Sequence, residues 1–438
     1  MHHLPTSSIT PLLLLAVTAL QAGAQDTPPR GVRIGISYTT DRPGVVVLPV
    51  AGPAGDSIRA IVQRDLDFGD RAAVVGQDAI AAPTSGDRSM DSPNYALLAR
   101  LGAAAAVEAT VSGAGLRVTL HDVGAKKVVE VEEFALPGAA YSREWRHAVH
   151  GVSDALEEWI TGVRGIGQTR IAYVRGGELH VVDSDGAIDV RVPVSGRVMS
   201  PAWHPSGEQL AFNTFGVRSE VILYDQRAGR PRAISPTRGG VNQTPVFAPD
   251  GRSLVYAHAY ESGEGSDLFV VGLDGAPARR ITVARGTINV SPSFSPDGRR
   301  LAFTSSRSGH PEVYVMDADG TNAELLTPYV FGEQSYQSNP DWSPDGRLVA
   351  YQSQIAGRFQ LKTINLRDRT TRQLTSEGQN EDPSWAPDGR HLVFASSRTG
   401  VRELWVIDVE TGRARQLTRS AGARLPAWSR RLRTSQSP

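Results

Sequence analysis

Few residues in this chain are spaced for chemistry. His147 and His150 stand three apart with Glu144 and Asp154 nearby, a spacing that on a helix can turn two imidazoles and a carboxylate to one face and hold a metal ion. Half-buried helical histidines without a metal share the pattern, so no metal is assigned. Asp317-Ala-Asp-Gly320 has the opening of a calcium loop, but no glutamate closes a twelve-residue loop, and the segment reads as a turn. There is no cysteine, which rules out disulfides, thiolate metal sites and a thiol nucleophile. No Gly-x-Ser-x-Gly occurs, so a serine held on a strained strand-to-helix turn is not expected either. The expectation is a non-enzyme without a cofactor.

What remains is hydrogen bonding, concentrated before a recurring proline. The four stretches are Val241-Asn242-Gln243-Thr244, Ile288-Asn289-Val290-Ser291, Tyr336-Gln337-Ser338-Asn339 and Gln379-Asn380-Glu381-Asp382. An amide stands three residues before the proline in each. If the stretches ring one opening, their neutral donors and acceptors, with Glu381 and Asp382 on one side, suit a folded protein partner held through a wet interface. The same amides could instead satisfy backbone groups in tight loops.

The elements that must position these stretches repeat. Pro-x-aromatic occurs six times, at Pro201-Ala-Trp203, Pro245-Val-Phe247, Pro292-Ser-Phe294, Pro340-Asp-Trp342, Pro383-Ser-Trp385 and Pro426-Ala-Trp428, with the aromatics 43 to 48 residues apart. Self-similarity at that period marks a stack of four-stranded units. The unit at Pro292 continues with Pro296-Asp-Gly298, a turn in which proline pre-sets one angle and glycine tolerates positive φ. Short apolar runs follow, and Val313/Val315 alternate with Tyr314/Met316 at the two-residue period of a strand. Residues 170–192 supply three strands with no Pro-x-aromatic strand before them, while Leu425-Pro-Ala-Trp-Ser429 is such a strand with nothing after it. Together they complete a sixth unit and remove the exposed edges. The predicted fold is an N-terminal α/β domain followed by a six-bladed all-β propeller.

The composition is 40% hydrophobic and 21% charged with zero net charge, ordinary for a multidomain globular chain. The cations are nearly all arginines, with lysine only at 126, 127 and 362, and are dispersed among acids without the basic stripe of a nucleic-acid binder, so no nucleic-acid partner is expected. Leu12 to Leu20 is an apolar run of signal-peptide length followed by Ala22-Gly-Ala24. Residues 1–24 are therefore expected to be an export signal and 25–31 a flexible segment. The α/β domain is expected over 32–163, the propeller over 164–431 and a tail over 432–438. Within the α/β domain, Val32–Ser37 and Val45–Pro49 read as strands. One helix is expected from a cap at Asp56 or Ser57, and another from Ser92-Pro93 to Gly102. A three-stranded meander follows, then a helix from Ser142 bearing Trp145, Val149, Val152, Leu156, Trp159 and Ile160 on one face, with a hinge at 162–167.

Three features together resemble the TolB family of periplasmic propeller proteins of the Tol-Pal cell-envelope system. They are Gly31-Val-Arg-Ile-Gly-Ile36 followed by Arg42-Pro-Gly-Val-Val-Val-Leu-Pro49, the junction from Thr161 to Tyr173, and the Ser-Pro-Asp-Gly units. The resemblance implies a monomeric, non-catalytic adaptor. Pal, a peptidoglycan-associated lipoprotein, would occupy the propeller mouth at Val241, Asn242, Gln243, Thr244, Asn289, Ser291, Gln337, Asn339, Asn380, Glu381 and Asp382. TolA, anchored in the inner membrane, would take the segment from Gln25 to Ile36, with Val32, Arg33, Ile34 and Ile36 as its contacts; their alternation also suits an edge strand of the domain itself. A histidine and a glutamate of the family's mouth are replaced by Val241 and Ser291. The alternative class is a secreted propeller that binds or hydrolyses a small molecule or sugar in its channel.

Overall fold

Each Pro-x-aromatic segment is the innermost strand of a four-stranded antiparallel blade. The computed structural model describes residues 42–76, 93–215, 219–235, 239–283, 286–328 and 336–431. Blade 3 shows the unit: Asn289–Phe294 pairs with Arg300–Ser305, which pairs with Glu312–Asp317, which pairs with Glu324–Leu325. The first turn is fixed by its sequence, with Gly298 at φ +72° and its N–H donating to Ser295 O at 2.8 Å. Asp297 accepts from Arg299 N at 3.1 Å, tying the turn to itself. Blades 1, 2, 4 and 5 repeat this order with inner strands Arg197–Trp203, Gly240–Phe247, Gln337–Trp342 and Asn380–Trp385.

The apolar core lies between blades. Ala302, Val313 and Val315 of blade 3 pack with Trp342, Val349, Tyr351 and Ile364 of blade 4, so each inner-strand aromatic is a wedge against its neighbour. Blade 6 joins the two ends of the ring as expected: Ala423–Trp428 pairs antiparallel with Arg170–Arg175, followed by Glu178–Asp183 and Asp189–Arg191.

The N-terminal domain is a five-stranded sheet with helices on both faces. Its elements are β1 (Gly44–Val47), α1 (Gly55–Phe68), β2 (Ala73–Val74), α2 (Tyr95–Arg100), β3 (Ala105–Ser112), β4 (Gly115–Asp122), β5 (Lys127–Ala135) and α3 (Arg143–Thr161). The strand order is β2-β1-β3-β4-β5, with β1 parallel to both neighbours. α1 and α3 bury their apolar stripes on one face, and α3 presents all six residues its periodicity picks out, Trp145, Val149, Val152, Leu156, Trp159 and Ile160. Ser142 caps α3, accepting from Trp145 N at 3.2 Å, and Gly162 ends it at φ +78°.

Two helix starts differ from expectation. α1 begins at Gly55, ahead of Asp56 and Ser57, after Ala54 at φ 57° and without a side-chain cap. Only glycine fits there, because a Cβ on Gly55 would stand 2.1 Å from Val50 O. α2 is capped by Asn94, which accepts from Leu97 N at 3.1 Å; Ser92, like the expected strand Val32–Ser37, lies outside the described residues.

Asp154 of α3 organises the junction between the domains. Its Oδ1 accepts from Gly167 N at 2.6 Å and its Oδ2 from Gln168 N at 3.1 Å. A Cβ on Gly167 would stand 3.0 Å from Asp154 Oδ1, so the junction's glycines permit the close approach.

Candidate functional site

In an antiparallel meander the inner strands all start at one face of the ring and their Pro-Asp-Gly turns all lie at the other. Blade 5 offers its turn residues to the N-terminal domain: His391 Nε2 lies 3.4 Å from Asp70 Oδ2, and Arg413 bonds Asp67 at 2.7 Å and Asp70 at 2.8 Å. The turn face is thus covered at this side by the N-terminal domain, and the face where the inner strands begin is on the far side of the propeller from it.

The residue immediately before each inner-strand proline has positive φ: Ser200 at 49°, Thr244 at 48°, Ser291 at 52°, Asn339 at 49°, Asp382 at 56° and Leu425 at 52°. A register shift accompanies every one of them. Proline disfavours the right-handed helical region for its predecessor, and the bulge turns that residue off the ladder. Non-glycine residues at positive φ cost about 1 kcal/mol or more each, so the repetition six times over marks a built feature. All six line a central channel of about 780 Å³.

Hydrogen bonds run round this ring. Ser291 N donates to Thr244 Oγ1 at 3.1 Å, Ser291 Oγ to Asn339 Oδ1 at 2.8 Å, and Asn339 Nδ2 to Asp382 Oδ1 at 2.7 Å. Leu425 N reaches Asp382 Oδ2 at 3.3 Å. Burial pushes Asp382 up to about 6, helped by the neighbouring Glu381. Deeper in the wall burial also carries Asp341 to about 6, against the pull of Trp385 N, which donates to it at 2.8 Å.

The amides three residues before the proline lie inside the wall. Asn242, Asn289 and Asn380 are 1%, 0% and 0% exposed. Asn242 Nδ2 donates to Ser219 O at 3.2 Å, Asn289 Nδ2 to Ser266 O at 2.9 Å, and Asn380 Nδ2 to Glu377 O at 2.9 Å. Gln337 is likewise buried. The three asparagines act as staples within and between blades, the bland half of the expectation. Val241, Gln243, Thr244, Ser291, Asn339, Glu381 and Asp382 keep partial exposure. Ser200 and Leu425 belong to the same ring and escape a reading confined to amide-bearing stretches; the position before the proline is the signal that finds them. Val32, Arg33, Ile34 and Ile36 lie outside the described residues.

The face where the inner strands begin carries exposed apolar side chains: Phe215, Val283, Ile288, Tyr336 and Val401. Tyr336 packs edge-on to Phe359 with centroids 5.2 Å apart. Beside it a cleft is lined by Arg358, Gly378, Gln379, Ser397 and Arg398. Apolar anchors beside arginines are the composition of a protein-docking surface.

The metal reading of α3 fares poorly. His150 Nδ1 lies 2.7 Å from Asp65 Oδ2 and its Nε2 3.6 Å from Asp185 Oδ2. Asp185, however, already pairs with Arg64 and Arg146, so two guanidiniums already neutralise the cluster's carboxylates. Burial pushes His147 down to about 4, and Asp154 is spent on the junction. A second cluster, Asp70, His391 and Asp408, is crowded by Arg390 and Arg413 in the same way. Among the described residues no helix is long and apolar enough to cross a membrane.

Comparison with known proteins places this architecture. The chain is 32% identical over 282 residues to the Tol-Pal system protein TolB of Gluconobacter oxydans, covering 60% of this chain and 57% of that protein. It is 34% identical over 215 residues to TolB of Bordetella pertussis, covering 46% and 48%. The match thus spans about half the length of these curated relatives. The crystal structure of TolB from Acinetobacter baumannii superposes with a TM-score of 0.76 at 23% identity, over 89% of this chain and 97% of that one, which establishes the shared fold. The TolB beta propeller domain family matches residues 157–432, from the end of α3 through the closing strand of blade 6. The chain belongs to the TolB beta propeller domain family.

Proposed function

We propose that this protein is a non-catalytic periplasmic adaptor of the Tol-Pal system. Its propeller mouth docks the lipoprotein Pal, and its segment 25–36 carries Val32, Arg33, Ile34 and Ile36 to TolA, so that the complex sustains outer-membrane integrity and envelope constriction during division. It meets membranes only through these partners and acts as a monomer. The observation that carries the reading is the exposed apolar face where the inner strands begin, on the far side of the propeller from the N-terminal domain. Six bulged residues ring the channel beneath that face, and Ile288, Tyr336 and Val401 stand exposed on it. A partner there would meet Val241, Gln243, Thr244, Ser291, Asn339, Glu381 and Asp382, with Asn242, Asn289, Gln337 and Asn380 holding the surface from behind.

A hydrolase would need its carboxyls free to converge on a substrate. Asp341 instead accepts from Ser293 Oγ at 3.0 Å and from Trp385 N at 2.8 Å, and Asp382 from Asn339 and Leu425, which favours the adaptor.

Calorimetric titration of the full chain with the soluble domain of Pal tests the reading. Tyr336→Ala is expected to weaken binding about tenfold or more, the size of an aromatic anchor at an interface centre. Deleting residues 25–33 is expected to remove TolA binding and leave Pal binding intact. Absence of Pal binding by the unaltered chain would overturn the assignment.

A further inference from the structure

Two carboxyls converge on one glycine in the seam between the domains. A Cβ on Gly165 would stand 2.6 Å from Asp154 Oδ1 and 2.9 Å from Glu157 Oε2. Asp154 is satisfied by two junction N–H groups, at 2.6 and 3.1 Å. Among the described residues no such donor is directed at Glu157. Its nearest cation is Arg71, with Nε 3.5 Å from Oε1, and that guanidinium is shared with Asp388 of blade 5, 3.7 Å from its Nη2.

The groups around Glu157 come from both domains. α3 contributes Asp154, and the segment after α1 contributes Asp70 and Arg71. The hinge contributes the backbone of Gly165, whose carbonyl accepts from Arg431 Nε at 3.2 Å, and Arg164, which pairs with Glu158 at 3.2 Å. The first turn of blade 5 contributes Asp388 and His391, 2.7 Å apart, with Arg390 held by Asp408, while Arg413, from the turn after Glu403–Asp408, is held by Asp70. The cations are all committed to other acids or to carbonyls, except for the shared Arg71. An ionised Glu157 would add a negative charge, met only by the Arg71 it shares with Asp388, to a site where it is only 4% exposed.

We propose that Glu157 is a proton-controlled latch between the N-terminal domain and the propeller: protonated, its carboxyl fits the seam, and once ionised it drives α3 away from Asp388 and blade 5. Burial, with Asp154 next, raises this carboxyl to about 8 from its ordinary value. The sign follows from linkage. The docked form holds a proton that the separated form releases at an ordinary carboxyl value, so docking is favoured at low pH and lost as pH rises through about 8.

The absence of cysteine allows a clean distance measurement. Spin labels on Glu132→Cys of β5 and Thr371→Cys of blade 4, both exposed, report the separation of the domains in the full chain. The distance distribution is expected to be narrow near pH 5 and to broaden as pH rises toward 8, while Glu157→Gln in the same background stays narrow through that range. An unchanged distribution in the parent, or broadening of Glu157→Gln over the same range, would overturn the latch. Should Glu157→Gln fail to fold, infrared titration of the parent decides: loss of a protonated-carboxyl band in step with the broadening supports the proposal, and broadening without it refutes the proposal.

Discussion

Trp428 Nε1 donates to Thr169 Oγ1 at 2.8 Å across 259 positions of sequence, and this bond lies where the propeller ring closes. Ser429 N adds a bond to Arg170 O at 2.8 Å, and Trp428 itself is buried among Ile171, Tyr173, Val393 and Leu404. The closing strand therefore fills a core shared by blades 5 and 6 while removing the free edge of Arg170–Arg175.

Replacing Trp428 by alanine should cost about 3–5 kcal/mol, the range for truncating a large buried aromatic. Chemical denaturation is the measurement. A loss confined to blade 6 would show as a separate early transition; one cooperative transition at lower denaturant would mean that the ring unfolds as a unit.

The buried amides and the exposed aromatics should separate in their effects. Asn289→Ala strands Ser266 O and Ser305 Oγ, both bonded to the amide at 2.9 Å, and should lower stability by about 1–3 kcal/mol. Pal affinity, measured well below the melting temperature, should change little. Tyr336→Ala should do the reverse. Equal effects of both on affinity would place the amide in the contact surface after all.

Much of this was legible in the sequence because the repeat spells out local physics. Proline before a wedge aromatic, then Pro-Asp-Gly, fixes strand, packing and turn within ten residues, and the unmatched strand at Pro426 announces its partner near Ile171. The direction of the amides was not legible. Positive φ at Thr244 or Ser291 rotates the chain between the amide and the proline, so counting alternation through the bulge sends Asn242 and Asn289 to the wrong side. The seam was hidden for a different reason: His391 meets Asp70 across 321 positions, and no local pattern distinguishes such a pair from solvated charge.

Stability should fall on the alkaline side through His391. Despite its burial, Asp388 at 2.7 Å and Asp70 at 3.4 Å raise the imidazole from its ordinary value to about 9. The folded state then holds a proton that the unfolded chain releases, so this stabilisation is complete below about 6.5 and is lost as pH rises to about 9. Melting temperatures at pH 6.5, 8 and 9.5 should decline in the parent. His391→Gln should melt lower at pH 6.5 and lose less between there and 9.5. At the acid end Asp388 is held well below the usual carboxylate range and Asp70 is also lowered, so their contribution persists until pH falls below 3.8.

One blade lacks a part that two others have, and supplying it should stabilise the ring. In blade 3, Arg307 lies over the Phe303 and Tyr314 rings, donating to Ser305 Oγ at 3.0 Å and Asn289 Oδ1 at 3.2 Å. In blade 5, Arg398 does the same with Ser396 Oγ at 3.0 Å and Asn380 Oδ1 at 3.1 Å. The equivalent pair in blade 4 is Gln337 and Ser353, matched in register like Asn289 with Ser305, and there Gln337 Oε1 and Ser353 Oγ are buried without a hydrogen-bond partner among the described residues. Two residues beyond Ser353 stands Ile355 where the other blades have arginine. Ile355→Arg places a guanidinium over Tyr351 within reach of both acceptors, and satisfying them should raise stability by about 1 kcal/mol. The narrow turn at Ala356-Gly357 opposes this by holding Ile355 opposite Arg358, a like charge once the substitution is made. Pairing the change with Arg358→Gln removes that repulsion. If the double variant melts no higher than Arg358→Gln alone, the orphaned oxygens are not what limits this blade.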